Sequence, residues 1–203
     1  MFPIDFFWRA AARRPETIPS AAREGPHPTQ ALPPQVAALA AALVAIDPAP
    51  QSRVAICAKN SAEHIAALLA VLACGKVWVP LNPQSTRPEI RRIVDATEPS
   101  ILVLDGACAE LLDGAPGARI HTGSAPQHEA TIAALVARHA GAPRPSFALP
   151  LDATQAIKFT GGTTGAPKGV MQPYRAWLAN IANQIHAWGF DEQERYVVGG
   201  ANT

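Results

Sequence analysis

Apolar residues along this chain switch between two rhythms. Val36, Leu39, Leu43 and Ile46 recur at three- and four-residue spacing with alanines between them, which predicts a helix ended by Asp47-Pro48-Ala49-Pro50. Residues 53–58 form a short, continuous apolar run of buried-strand type. Asn60 with Glu63 three residues on predicts a capped helix start, followed by the stripe Ile65, Leu68, Leu69 and Leu72 and a stop at Gly75. Val77-Trp78-Val79 is the next strand, turned by Pro80 and Asn82-Pro83. Thr86 with Glu89 opens a further helix carrying Ile90, Ile93 and Val94, interrupted at Pro99, and residues 101–104 are a third strand closed by Asp105-Gly106. Strand, helix, strand, helix, strand predicts an α/β fold with a parallel βαβ-type sheet flanked by helices.

Outside this block the pattern is uneven. Phe6, Phe7 and Ala10 predict a short N-terminal helix before Pro15, and residues 19–34 read as irregular. Between 107 and 150 the expected elements are a short helix at 108–112, a strand at 119–121 and an alanine-rich helix at 130–139. Residues 156–159 resume as a strand, and 169–171 continue extended after a glycine-rich stretch. Pro173 then begins a helix with Tyr174, Trp177, Leu178, Ile181, Ile185 and Trp188 on one face, ended by Gly189, and 196–198 begin one more strand. Trp78, Trp177 and Trp188 are read as core aromatics. The expected division is an irregular segment with a short helix at 1–34, a first βαβ subdomain at 35–150, and the truncated start of a second subdomain at 151–203.

Composition excludes several classes. A net charge of +1 leaves no basic field for nucleic acid. The three cysteines, Cys57, Cys74 and Cys108, show no metal-ligand spacing, and with no apolar run long enough for a bilayer the expectation is a cytoplasmic protein without a membrane span. The six histidines are scattered singly, so no metal site is expected.

The chemistry concentrates in residues 159–169, Phe-Thr-Gly-Gly-Thr-Thr-Gly-Ala-Pro-Lys-Gly, which hold four glycines, three threonines and a lysine. So many glycines and hydroxyls cannot build a helix interior or a buried strand. They suit a tight polar loop whose amides and hydroxyls close on a phosphate beside one fixed cation. Pro167 and Gly169 on either side of Lys168 break the G-x-x-x-x-G-K-[ST] pattern, and no G-x-G-x-x-G is present.

This stretch resembles the phosphate-binding signature of the adenylate-forming (AMP-dependent) synthetases and ligases, whose pattern runs aromatic-Thr-Ser/Gly-Gly-Thr-Thr-Gly-x-Pro-Lys-Gly. Residues 53–83 and Gly169-Val170-Met171 resemble that superfamily as well, most like an acyl-CoA synthetase. The resemblance implies that Thr160, Thr163 and Thr164, the amides of Gly161, Gly162 and Gly165, and Lys168 hold the β- and γ-phosphates of ATP with Mg²⁺. It further implies that a small-molecule carboxylic acid, fatty or aromatic, becomes an acyl-adenylate and then a thioester of coenzyme A. Tyr174 stands where many relatives have histidine and is read as a core aromatic. The family's Tyr-Gly-x-Thr-Glu stretch, ribose-binding Asp and C-terminal catalytic lysine have no counterpart in these residues. The expectation is therefore an N-terminal portion, inactive alone and with no catalytic residue of its own. Alternatives are an amino-acid adenylation domain fragment, a non-catalytic nucleotide-binding fragment, or an unrelated phosphate-loop protein.

Overall fold

The computed structural model describes residues 1–13, 21–22, 25–26, 31–127, 129–160 and 168–191. In chain order the helices are α1 (Ile4–Arg13), α2 (Leu32–Ile46), α3 (Ala62–Ala73), α4 (Arg87–Thr97), α5 (Ile132–Arg138) and α6 (Tyr174–Trp188). The strands are β1 (Ala21–Ala22), β2 (Gly25–Pro26), β3 (Arg53–Cys57), β4 (Val77–Pro80), β5 (Ile101–Leu104), β6 (Ala118–His121), β7 (Ala130–Thr131), β8 (Thr154–Thr160) and β9 (Lys168–Pro173). β1 and β2 form a small antiparallel pair. The other strands make one seven-stranded sheet in the order β7-β6-β5-β3-β4-β8-β9, parallel throughout except for the last pair.

Side-chain alternation along the central strands separates two cores. Val54 and Ile56 of β3, Trp78 of β4, Ile101 and Val103 of β5 and Ala156 of β8 lie with α2 and α3 on one face. Ala55, Cys57, Val79, Leu102 and Leu104 lie on the other, against Ile90, Ile93 and Val94 of α4 and against Cys108 and Leu112. Both faces are covered, so β3, β4 and β5 read as near-continuous apolar runs. β8 and β9 join this same sheet, which therefore runs across the boundary expected at 150/151.

The helix ends show which local signals acted. At α4 the Thr86 backbone N–H donates to the Glu89 carboxylate at 2.8 Å, and the Thr86 hydroxyl donates to the same oxygen at 3.0 Å. At α3 the cap is Ser61 rather than Asn60: its hydroxyl accepts the His64 N–H at 3.0 Å, and Glu63 instead accepts the Gly123 N–H at 2.6 Å. The cap lies one residue later than expected, because Asn60 and Ser61 are both residue types competent to cap.

Two expectations are corrected. Residues 106–114 form turns and no helix. Asp105 caps this segment by accepting the Cys108 N–H at 2.9 Å, and Cys108 and Leu112 are buried from successive turns rather than from one helix face. Trp188 is no core residue, being 62% exposed, and Ile185 is also exposed. Within α6 only Tyr174 is buried, packed edge-on against Phe2 at 4.9 Å between ring centroids, and burial pushes its phenol up to about 12. The strand expected at 196–198 falls outside the described residues.

Candidate functional site

β8 enters the sheet parallel to β4, with Trp78 opposite Ala156. Its end at Thr160 therefore lies at the carboxyl edge of the parallel strands, where open α/β sheets bind their ligands. From there the chain crosses 161–167 and returns antiparallel as β9, with Thr160 paired to Lys168, Phe159 to Gly169, Lys158 to Val170, Ile157 to Met171 and Ala156 to Gln172. The glycine-rich stretch thus joins the two strands of a hairpin. Of the expected site residues, Thr160 and Lys168 stand directly opposite each other at its base, both exposed. Gly161, Gly162, Thr163, Thr164 and Gly165 lie outside the described residues.

Directly paired residues share a face of a sheet. One face of the hairpin consequently carries Thr160, Lys168, Lys158, Val170, Ala156 and Gln172, and the other carries Phe159, Gly169, Ile157 and Met171. The apolar face is tight at the loop: a Cβ on Gly169 would sit 3.0 Å from Cζ of Phe159 and 3.3 Å from Cγ2 of Ile157. Glycine at this position lets the Phe159 ring lie across β9 and packs it toward the α4 core.

The polar face holds a group that sequence reasoning missed. Lys158 Nζ lies 4.9 Å from the Trp78 ring centroid and 5.3 Å from that of Trp177, whose rings meet edge to face at 6.1 Å. Each such cation–π contact is worth roughly 0.5–2 kcal/mol. Burial lowers the Lys158 pKa. Trp177 donates its indole N–H to Oε1 of Gln172 at 3.0 Å. A lysine inside the otherwise apolar Ala-Ile-Lys-Phe run was the available signal.

Further along the same edge, Asp105 accepts the Lys59 N–H at 2.8 Å and the Cys108 N–H at 2.9 Å. Burial raises its pKa, but the hydrogen bonds from Lys59, Cys108 and Ala107 outweigh that and leave it lowered. His121 and Arg119 both engage Glu129. Among the described residues no group of three or more His, Cys, Asp or Glu side chains is placed to hold a metal ion, and no helix is long and apolar enough to cross a membrane.

Residues 7–199 match the family of AMP-binding enzymes, so the fold, the hairpin and the glycine-rich crossing all fall within one matched segment. The chain belongs to the AMP-binding enzyme family. Its relatives are adenylate-forming ligases of more than one kind. A 4-coumarate–CoA ligase of Oryza sativa is 32% identical over 149 residues, covering 72% of this chain and 28% of the relative. The hybrid PKS-NRPS synthetase lepA of Aspergillus flavus is 32% identical over 157 residues, covering 75% of this chain and 4% of the relative. Among solved structures, acetoacetyl-CoA synthetase from Streptomyces lividans superposes with a TM-score of 0.88 at 25% identity, covering 100% of this chain and 35% of that one. The o-succinylbenzoate CoA synthetase of Bacillus subtilis, in complex with its acyl-adenylate intermediate, gives 0.80 at 20% identity, covering 99% and 50%. This AMP-binding chain therefore spans half or less of the length of these relatives. Adenylate-forming enzymes as a class use ATP, and the fold found here is the α/β architecture expected from the apolar pattern.

Proposed function

We propose that this chain is the phosphate-binding part of an ATP-dependent acid–CoA ligase that acts on a fatty or aromatic carboxylic acid. The observation that carries the proposal is the hairpin at the carboxyl edge of the parallel strands, with Thr160 and Lys168 opposed across the base of a Gly-Gly-Thr-Thr-Gly crossing. In this reading the hydroxyls of Thr160, Thr163 and Thr164 and the amides of Gly161, Gly162 and Gly165 donate to the β- and γ-phosphate oxygens, and Lys168 adds a point charge. The acid's carboxylate attacks the α-phosphorus, the acyl-adenylate forms and pyrophosphate leaves. Donors at the departing oxygens would stabilise the charge that develops there. Mg²⁺ would share the charge of the phosphate oxygens, as it commonly does at nucleotide sites. Coenzyme A would then take the acyl group as a thioester and release AMP.

The match to peptide synthetases such as lepA favours one second reading, adenylation of an amino acid. Carboxylate-dependent exchange of pyrophosphate into ATP separates the two. The test is run on the chain by itself, and on the chain supplied with the adenine- and ribose-binding remainder of a ligase. We expect no exchange from the chain alone, exchange with aryl or fatty acids in the completed enzyme, and loss of ATP affinity by about tenfold or more in Lys168→Ala. Exchange supported only by amino acids would replace the first reading with the second, and unchanged ATP affinity in a folded Lys168→Ala variant would end both.

A further inference from the structure

The polar face of the β8–β9 hairpin carries two lysines and, among the described residues, no carboxylate. Lys168 pairs with Thr160, and Lys158 lies two residues earlier on the same face. Such diagonal neighbours lie roughly 7–8 Å apart, within reach of a common ligand for two long side chains. Beside Lys158 a cleft of about 260 Å³ opens between the hairpin and α6, lined by Lys158, Gln172, Ala176, Trp177 and Asn180.

Its polar lining is biased toward donors. Oε1 of Gln172 is occupied by the Trp177 indole N–H, which fixes the carboxamide and leaves its NH₂ to donate. Asn180 accepts from Gln184 through Oδ1 at 3.5 Å, which likewise leaves its NH₂. The indole N–H of Trp78, buried beneath Lys158, has no acceptor among the described residues. An ammonium held between two indole faces, with amide donors around it and no carboxylate partner among the described residues, leaves room for an anion as its partner. Two ammoniums on one face call for a ligand with more than one negative charge, which selects a polyphosphate over a simple carboxylate.

We propose that this cleft is a second phosphate subsite, in which Lys158, Gln172 and Asn180 take one phosphate group of a polyphosphate whose other group lies at Lys168. The proposal rests on the reading of the glycine-rich loop for that second contact alone. Burial disfavours the charged form of Lys158, and an anion beside it in the cleft would favour that form again.

The probe is inorganic pyrophosphate, titrated into the ¹⁵N-labelled 203-residue chain while the four indole N–H resonances are followed. Those of Trp78 and Trp177 are expected to move saturably, and those of Trp8 and Trp188 to stay. Lys158→Gln should raise the half-saturating concentration about tenfold or more, whereas Lys158→Arg should stay within about threefold, because the charge is kept. Sodium benzoate at the same concentrations should move neither resonance. The proposal is overturned if pyrophosphate leaves Trp78 and Trp177 unmoved, if a folded Lys158→Gln chain saturates as the native one does, or if benzoate matches pyrophosphate. If Lys168→Ala leaves pyrophosphate affinity unchanged while Lys158→Gln lowers it, the loop reading fails and the cleft stands. The reverse pattern removes the cleft and keeps the loop.

Discussion

Lys76, the residue before β4, offers the most direct test of how the sheet is held. It is 2% exposed, yet its ammonium donates to the Asp47 carbonyl at 2.6 Å, the Ser52 hydroxyl at 2.5 Å and the Ala49 carbonyl at 3.3 Å. One cation therefore ties the turn after α2 to the start of the strand that carries Trp78. Lys76→Met keeps the aliphatic stem and removes the donors. The Ser52 hydroxyl can rotate to another partner and Ala49 is exposed to water, so the main orphan is the Asp47 carbonyl. An unsatisfied buried acceptor costs about 1–3 kcal/mol, and a hydrogen bond to a charged group contributes about 1.5–3 kcal/mol. Regained ammonium hydration in the unfolded chain no longer opposes folding, which offsets part of that loss. Because the Asp47 carbonyl is only part-buried and the offset subtracts from that cost, the expected net destabilisation is about 1–2 kcal/mol. Equilibrium urea denaturation should show it as a lower midpoint at unchanged m-value, because the same surface is exposed on unfolding. A loss under about 0.5 kcal/mol would refute the reasoning, since it would mean that the ammonium holds nothing that water cannot.

Three further outcomes are open to measurement. Gly117 has φ +116°, and a Cβ there would lie 2.8 Å from the Pro99 carbonyl oxygen, so Gly117→Ala should destabilise by about 1–3 kcal/mol in a thermal melt; a neutral result would contradict the fixed β5–β6 connection. Gln155 is fully buried at the irregularity between Thr154 and Ala156, and its carboxamide has no partner among the described residues. Gln155→Leu should therefore raise stability by about 1–2 kcal/mol in urea, and a loss would show that the amide is engaged. Hydrogen bonding from His121, helped by Arg119, holds the Glu129 carboxyl below its ordinary value of 4.5. A depressed carboxylate stabilises the fold above its unfolded pKa, and that contribution is lost as pH falls from about 4.5 through the folded value. Glu129→Gln should flatten this acid limb of the stability–pH curve, and an unchanged limb would remove Glu129 as its source.

The central strands were legible because burial on both faces leaves an unbroken apolar run, and because Thr86 and Glu89 act within one turn of each other. Turns at 106–114 were not: Cys108 and Leu112 fall at helical spacing, but Gly106 and Gly114 bracket them and Asp105 anchors the segment from outside. For α6 the period was right and the burial was not, because periodicity reports which side chains share a face and not whether anything covers it. In the site, the polar loop announced itself by composition alone. Lys158 did not, since its environment is made by Trp78 from β4 and Trp177 from α6, and no local pattern encodes that meeting.

The unequal attachment of β8 has a mechanical meaning. It shares a six-pair ladder with β9, but a single registered pair, Trp78 with Ala156, with the parallel strands. The hairpin is thus paired along its whole length within itself, while its seam with β4 is registered at one position and held otherwise by side-chain packing such as Lys158 on Trp78. Force or thermal opening applied across that seam would carry Thr160, Lys168 and Lys158 away together, with their spacing intact. A ligand gripping both lysines would therefore load two paired strands at once, and its pull would be shared along the ladder from Thr160–Lys168 to Thr154–Pro173.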